Sequence, residues 1–199
     1  MSGRGPMKIG SGRAEEHRMD GGNILTGLEH DHERTRELLT LMGAELARIE
    51  SGDSDDVELV RDIMQYLTHY PELVHHPLEE ELGRHIFEEA ALVRIGPRLA
   101  DEHAALARAG AEFLDIVARV VDGGLASRAD IAAQGQRYVE LYRAHLAWEE
   151  ADVFSALVRL NAVTLQCVAK RVERSLDPLF GPVRQDEYAH LWRHIQQQR

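Results

Sequence analysis

Residues 57–82 read VELVRDIMQYLTHYPELVHHPLEEEL. In their first half Val57, Leu59, Val60, Ile63, Met64 and Leu67 recur at the short steps that lay apolar side chains along one face of an α-helix. Pro71 and Pro77 then interrupt the pattern, since proline lacks an amide donor and crowds the turn before it. Two outcomes stay open. Either the helix kinks at Pro71, or a new helix opens with Pro77 near its first position and Glu79, Glu80 and Glu81 in its first turn, where carboxylates suit the helix dipole.

The same periodicity extends outward in both directions. A first helix is expected from about Asn23, an N-cap candidate, through Ile24, Leu28, Leu38, Leu39, Leu41, Met42 and Leu46 to the SGDSDD turn at Ser51–Asp56. A third follows Pro97 through Leu106, Phe113, Leu114, Val117 and Val121 and stops at Gly123-Gly124. A fourth starts at Ser127 or Asp130 and runs past Tyr138, Leu141, Leu146, Phe154 and Leu157 to about Asn161. Nothing resembles a strand series. The expected fold is all-α, an antiparallel up-down four-helix bundle over residues 23–161. Short additional C-terminal helices over 162–199 are expected to pack on it: one around Thr164–Arg174, the DPLFG turn at 177–181, and a tail helix from about Asp186. Residues 1–22 read as a disordered leader, with basic residues but no apolar stretch of the kind a signal peptide carries.

Composition narrows the function classes. With 199 residues, 44% of them hydrophobic, the chain is long enough to bury a core. A net charge of -11 is the wrong sign for a phosphate backbone, which disfavours nucleic acid. No apolar run reaches the roughly 18 residues of a membrane span. A single cysteine, Cys167, excludes an internal disulfide, a thiolate zinc cage and a cysteine-ligated cluster, and fits a reducing cytoplasm. No feature identifies a protein partner.

The chain carries 11 histidines, and four of them have glutamate at +4: His75–Glu79, His76–Glu80, His85–Glu89 and His145–Glu149. That spacing turns both side chains to one side of a helix, within reach of one metal site. An internal repeat strengthens the signal. His32 is followed after 42 residues by His75-x-x-x-Glu79, and His103 after 41 by His145-x-x-x-Glu149. Each half thus offers a lone histidine and a His/Glu pair, and bundle cores are where facing helices build metal sites. The candidate ligands are His32, His75, Glu79, His103, His145 and Glu149. Six ligands can saturate one octahedral ion; the twofold pattern favours two ions with Glu79 and Glu149 between them. Imidazole and carboxylate without thiolate favour iron or manganese, with zinc tolerated, and iron is the first choice.

These segments resemble the hemerythrin-like, or HHE cation-binding, family. ILTGLEHDHERTRELL (24–39) is similar to its first-helix motif around His32, and YLTHYPELVHHPLEEEL (66–82) to its Tyr-Pro…His-His-Pro-x-Glu segment with His75 and Glu79. DEHAAL (101–106) resembles the third-helix motif at His103, YRAHLAWEEADVF (142–154) the fourth with His145 and Glu149, and DPLFG a tail element of bacterial members. The resemblance covers about Asn23 to Gly181. It implies a four-helix bundle around two non-heme, oxygen-bridged iron ions that binds or senses O2, NO, peroxide, iron or redox state. Its alternative implication is an enzyme turning over peroxide or nitric oxide, or an iron donor in iron–sulfur cluster repair. The ligand would be a small diatomic or a peroxide. Oxygen carriers of the family have His-x-x-x-His on the third helix; here Ala107 stands four residues after His103, leaving four motif histidines and pointing toward the repair and iron-sensing branches.

Other residues take plainer readings. His69 and His76 are either partners behind the ligands, occupants of an open metal position, or solvated side chains. His30, about 200° from His32 around the helix, falls outside the site. Glu29 and Glu72 form Glu-x-x-His pairs of the ferritin-like kind, but nothing equivalent precedes His103 or His145. Tyr138 and Tyr142 line a cavity or pack the core, His85–Glu89 faces water, and Cys167 is expected to be buried and inert. His190-x-x-x-His194 in the tail is at most a surface site for adventitious zinc or nickel.

Overall fold

The computed structural model describes residues 21–86, 94–159, 165, 167, 168, 177–180 and 186–197, and every regular element among them is helical. Helix α1 spans Gly21–Ser51. Asn23 therefore lies inside the helix and not at its N-cap, and Ile24 and Leu28 next to it are buried. Of the expected leader, all but Gly21 and Gly22 lies outside the described residues. The chain leaves α1 through Gly52, whose φ of 86° suits glycine. Asp56 then caps α2 (Val57–Tyr70), its carboxylate accepting from the Leu59 amide at 3.0 Å.

Helical conformation persists across both prolines. A π-helical turn over Pro71–His75 joins α2 to α3 (His76–Ile86), with the His76 amide donating to the Pro71 carbonyl five residues back. Widening the turn makes room for the Pro77 ring, which in a regular helix would press on the carbonyl four residues earlier. Helix α4 covers Ile95–Val121 and ends at Gly123, with φ of 92°. Ser127, and not Asp130, caps α5 (Arg128–Trp148), its hydroxyl oxygen accepting from the Asp130 amide at 3.0 Å. A second π-helical turn, Glu149–Phe154, leads into α6 (Ser155–Leu157). The expected end at Asn161 and most of the expected 164–174 helix lie outside the described residues. Within the latter, Leu165 and Val168 are buried but Cys167 is exposed, contrary to the buried, inert thiol expected. A 3-10 turn, Asp186–Tyr188, precedes α7 (Ala189–Gln197).

Helix α1 packs on α5 and α2, α2 packs on α4, and α4 packs on α5, so the long helices enclose a common interior. Gly135 marks one close approach: a Cβ there would lie 2.5 Å from Leu46 and 2.8 Å from Phe113. The interior holds two apolar clusters. One gathers Leu38, Met42, Leu46, Ile63, Leu67, Phe113, Val117 and Tyr142; the other gathers Ile24, Leu28, Leu78, Leu82, Leu99, Val153 and Leu157. Where the two sets meet, the buried His32, His75, His76, Glu79, His103, His145 and Glu149 form a polar layer. No described helix is long and apolar enough to cross a membrane.

The segment 177–180 is fastened by one carboxylate. Asp177 accepts from the Leu179 and Phe180 amides at 2.9 and 2.8 Å, from the Tyr66 hydroxyl at 3.1 Å and from Arg34 at 3.3 Å. Its removal would strand the buried Tyr66 hydroxyl and two amides. Asp177→Ala is expected to cost about 3 kcal/mol of stability, read as a lowered urea midpoint; a change under about 0.5 kcal/mol, the range of an ordinary surface substitution, would show that the fastening is idle.

Candidate metal centre

The six histidines and glutamates singled out by the repeat converge. His32 comes from α1, His75 from the end of the first π-helical turn, Glu79 from α3, His103 from α4, His145 from α5, and Glu149 from the start of the second π-helical turn. All are buried, and His32, Glu79 and Glu149 have 0% exposure. Ligand atoms of His32, His75, Glu79 and Glu149 lie within 4.8 Å of one another, and so do those of His76, His103 and His145.

The two glutamates connect the groups. Glu79 turns Oε1 toward His75 Nε2 (3.3 Å) and His32 Nε2 (3.6 Å), and Oε2 toward His103 Nε2 (3.4 Å). Glu149 turns Oε2 toward His32 Nε2 (3.4 Å), and Oε1 toward His103 Nε2 (3.2 Å) and His145 Nε2 (3.1 Å). Each carboxylate thus spans both groups with one oxygen apiece.

The outer ring nitrogens are all claimed by carboxylates. Nδ1 of His32 faces Glu150 at 3.1 Å, that of His75 Asp31 at 3.3 Å, that of His103 Glu80 at 3.2 Å and that of His145 Glu102 at 3.1 Å. A carboxylate only accepts, so each Nδ1 carries the hydrogen and each Nε2 can offer its lone pair inward. Sequence reasoning passed over these four acids because they sit in acid-rich segments. Their signal was adjacency: each neighbours a candidate ligand in the chain.

His76 is the further member. Its ring is buried, stacks on His103 at 3.9 Å and 13°, and stands perpendicular to His145. Glu79 lies about 40° from His75 and about 60° from His76 around the helix, so the two histidines flank it. One joins each group. His69, the other residue left undecided, is exposed, as are His30 and Glu29, while Glu72 lies 3.3 Å from His76 Nδ1. Tyr142 packs edge-on to Tyr138 and His145 in the core, and burial pushes both phenols up. His85 ends its helix near Ile86, and Glu89 lies outside the described residues.

Buried polar atoms without a hydrogen-bond partner include both oxygens of Glu79, Glu149 Oε2 and His145 Nε2. Such atoms are costly in a core unless a cation meets them. The donor set, imidazole nitrogens around two carboxylates without thiolate, suits a divalent or trivalent ion of the iron, manganese or zinc kind. These buried groups can hold a metal ion. Comparison of the chain with family models, curated proteins and solved structures returned no match.

Without an ion the cluster balances itself with protons. Burial pulls the His75 and His103 imidazoles down, but Glu79 and Asp31 at His75, and Glu149 and Glu79 at His103, reverse this and raise each to about 10. His32 is raised on the same balance. Burial, then repulsion from His103 and His75, lowers His76 and keeps it neutral despite Glu72. Burial and Glu79 push Glu149 up, yet the surrounding imidazoles hold it at about 2, and Glu79 is also held far below the carboxylate range. An imidazole raised from 6.5 to about 10 stabilises the metal-free fold fully below pH 6.5 and ever less toward pH 10. A carboxylate lowered from 4.5 to about 2 stabilises it above pH 4.5 and is lost toward pH 2. The metal-free protein is therefore expected to melt highest between these limits, at mildly acidic pH. Metal loading, which needs the imidazoles deprotonated, is expected to move that optimum upward. Thermal melts across pH with and without a chelator test this; an optimum unmoved by loading would contradict it.

Proposed function

We propose that the chain is a hemerythrin-like protein: an antiparallel, up-down four-helix bundle that holds two iron ions and binds or senses a small diatomic molecule or peroxide. The observation that carries this reading is the placement of two fully buried glutamates, each aiming one oxygen at either group of imidazoles. His32 and His75 would hold one ion and His76, His103 and His145 the other, with Glu79 and Glu149 shared. Iron in such surroundings supplies one-electron redox chemistry and an exchangeable position for a small ligand.

The protein's own share of the work is positional. Asp31, Glu80, Glu102 and Glu150 keep the imidazoles turned inward and raise their basicity. The apolar clusters above and below the layer keep bulk water out. Phe154, stacked on His32 at 4.7 Å, closes the His32 side. Counting shared carboxylates, the His32–His75 side has one imidazole fewer, so a small ligand finds its place there more readily. His76 also answers the shortage of imidazoles left by Ala107: a fifth ring arrives from α3 in place of the motif position on the helix of His103.

Chain expressed with iron is expected to contain two iron ions and to show a near-ultraviolet charge-transfer band. O2, NO or peroxide should change that spectrum stoichiometrically; sustained consumption of peroxide or NO would replace this reading with the enzymatic one, and absence of iron and band would end both. Asp31→Asn and Glu102→Gln, equivalent positions in the two halves, are each expected to weaken iron retention about 10- to 100-fold, measured by competition with a chelator.

A further inference from the structure

A second cluster lies apart from the buried layer, where the tail meets the start of α2. Asp56, His190 and His194 bring one ligand atom each within 4.8 Å of one another. His194 Nε2 is 3.3 Å from His190 Nε2 and 3.4 Å from Asp56 Oδ2. We propose that these three side chains form a surface site for a divalent cation of the zinc class, which clamps the tail helix α7 onto α2. The inference does not rest on the function proposed for the buried layer.

Geometry fits a tetrahedral ion. Ligand atoms about 2.0–2.1 Å from zinc, at tetrahedral angles, stand about 3.3–3.4 Å apart, the separation found for both measured pairs. Two of the three ligands are also held from behind. His190 Nδ1 donates to Asp62 Oδ2 at 2.8 Å, which places the hydrogen on Nδ1 and leaves the Nε2 lone pair facing His194. Asp62 itself is buried and fixed by Arg61 at 2.9 Å. Asp56 spends Oδ1 on the Leu59 amide and keeps Oδ2 for the cluster. His190 and His194 stand one helical turn apart on one face of α7, and side-chain exposures of 32%, 27% and 31% for His190, His194 and Asp56 leave an ion a path in from solvent and room for water as a fourth ligand.

Such an ion has structural work to do. Helix α7 has nine residues, too few to be stable alone, and its docking rests on Leu191 and Ile195 in the core. Beyond the His190–Asp62 hydrogen bond, the two imidazoles add little without an ion, since an exposed ion pair such as His194–Asp56 contributes weakly. A cation held by one residue from α2's cap and two from α7 joins elements more than a hundred residues apart in the chain.

The test is zinc titration of the full chain against a chromophoric chelator, compared among the wild type, His194→Ala and Asp56→Asn. Asparagine still caps α2 but removes the anionic ligand. Taking the difference between wild type and variants cancels any zinc that enters the buried layer. One zinc equivalent is expected in the wild type and at least a tenfold weaker one in both variants, with melting curves of the zinc-free proteins unchanged. Zinc should also slow amide hydrogen exchange in residues 189–197 of the wild type alone. Equal zinc affinity in all three proteins, or exchange in α7 indifferent to zinc, would overturn the site.

Discussion

Two carboxylates without any exposed surface, Glu79 and Glu149, stand in the middle of the helical interior, and the rest of the molecule is arranged around their charge. An ion taken out of water in this way costs several kcal/mol unless opposite charge and hydrogen bonds meet it. Opposite charge is supplied here by imidazoles drawn from α1, the first π-helical turn and α4, either as protons on His32, His75 and His103 or as a cation that those rings could hold. Packing could not have produced this layer by itself: apolar side chains in these positions would fuse the two hydrophobic clusters into one. The polar layer instead ties α1, α3, α4 and the second π-helical turn to one another through the ion pairs of Glu79 and Glu149.

The arrangement has a twofold logic at the level of single residues. His75 leans on Asp31, the residue before His32, and His145 leans on Glu102, the residue before His103. His32 leans on Glu150, the residue after Glu149, and His103 on Glu80, the residue after Glu79. Every orienting carboxylate thus sits next in the chain to a ligand candidate of a different helix. One backbone position sets both an inward-facing ligand and an outward support for its neighbour, and displacement of any helix would disturb two rings together. Arg36, 2.5 Å from Glu150, extends the support one step further to the surface.

Much of this was legible in the sequence, for reasons of period. His-x-x-x-Glu survives translation into structure because four residues are nearly one helical turn, and the spacing between His32 and His75 repeats between His103 and His145. Less was legible where geometry depends on the backbone departing from that period or on elements remote in the chain. Pro71 and Pro77 left kink and restart equally open, because a π-helical turn has no sequence signature of its own, and Glu149–Phe154 forms one with no proline in it. Asp31 and Glu150 read as ordinary acids on polar helix faces. Asp56 read only as the end of the SGDSDD turn, since nothing local announces the tail helix that returns to it. Cys167 read as a buried, inert thiol, yet it is exposed.

Where the twofold pattern fails is as informative as where it holds. The position matching His76 in the second half is Leu146, and that matching Glu72 is Tyr142, so one half adds an imidazole with an acid near it and the other adds an aliphatic group with a phenol. Leu146 and Tyr142 belong to the apolar cluster, while His76 joins His103 and His145. A duplicated scaffold thus presents two unequal faces to whatever the glutamates hold. If two irons sit there, as proposed, they differ in basicity of ligands and in room for a further one, and a small molecule meets a preferred side rather than a statistical choice. Lowered by burial and by its neighbouring rings, His76 stays neutral while His75 and His103 take up protons, which makes it the ring that needs to lose none before it can donate its lone pair.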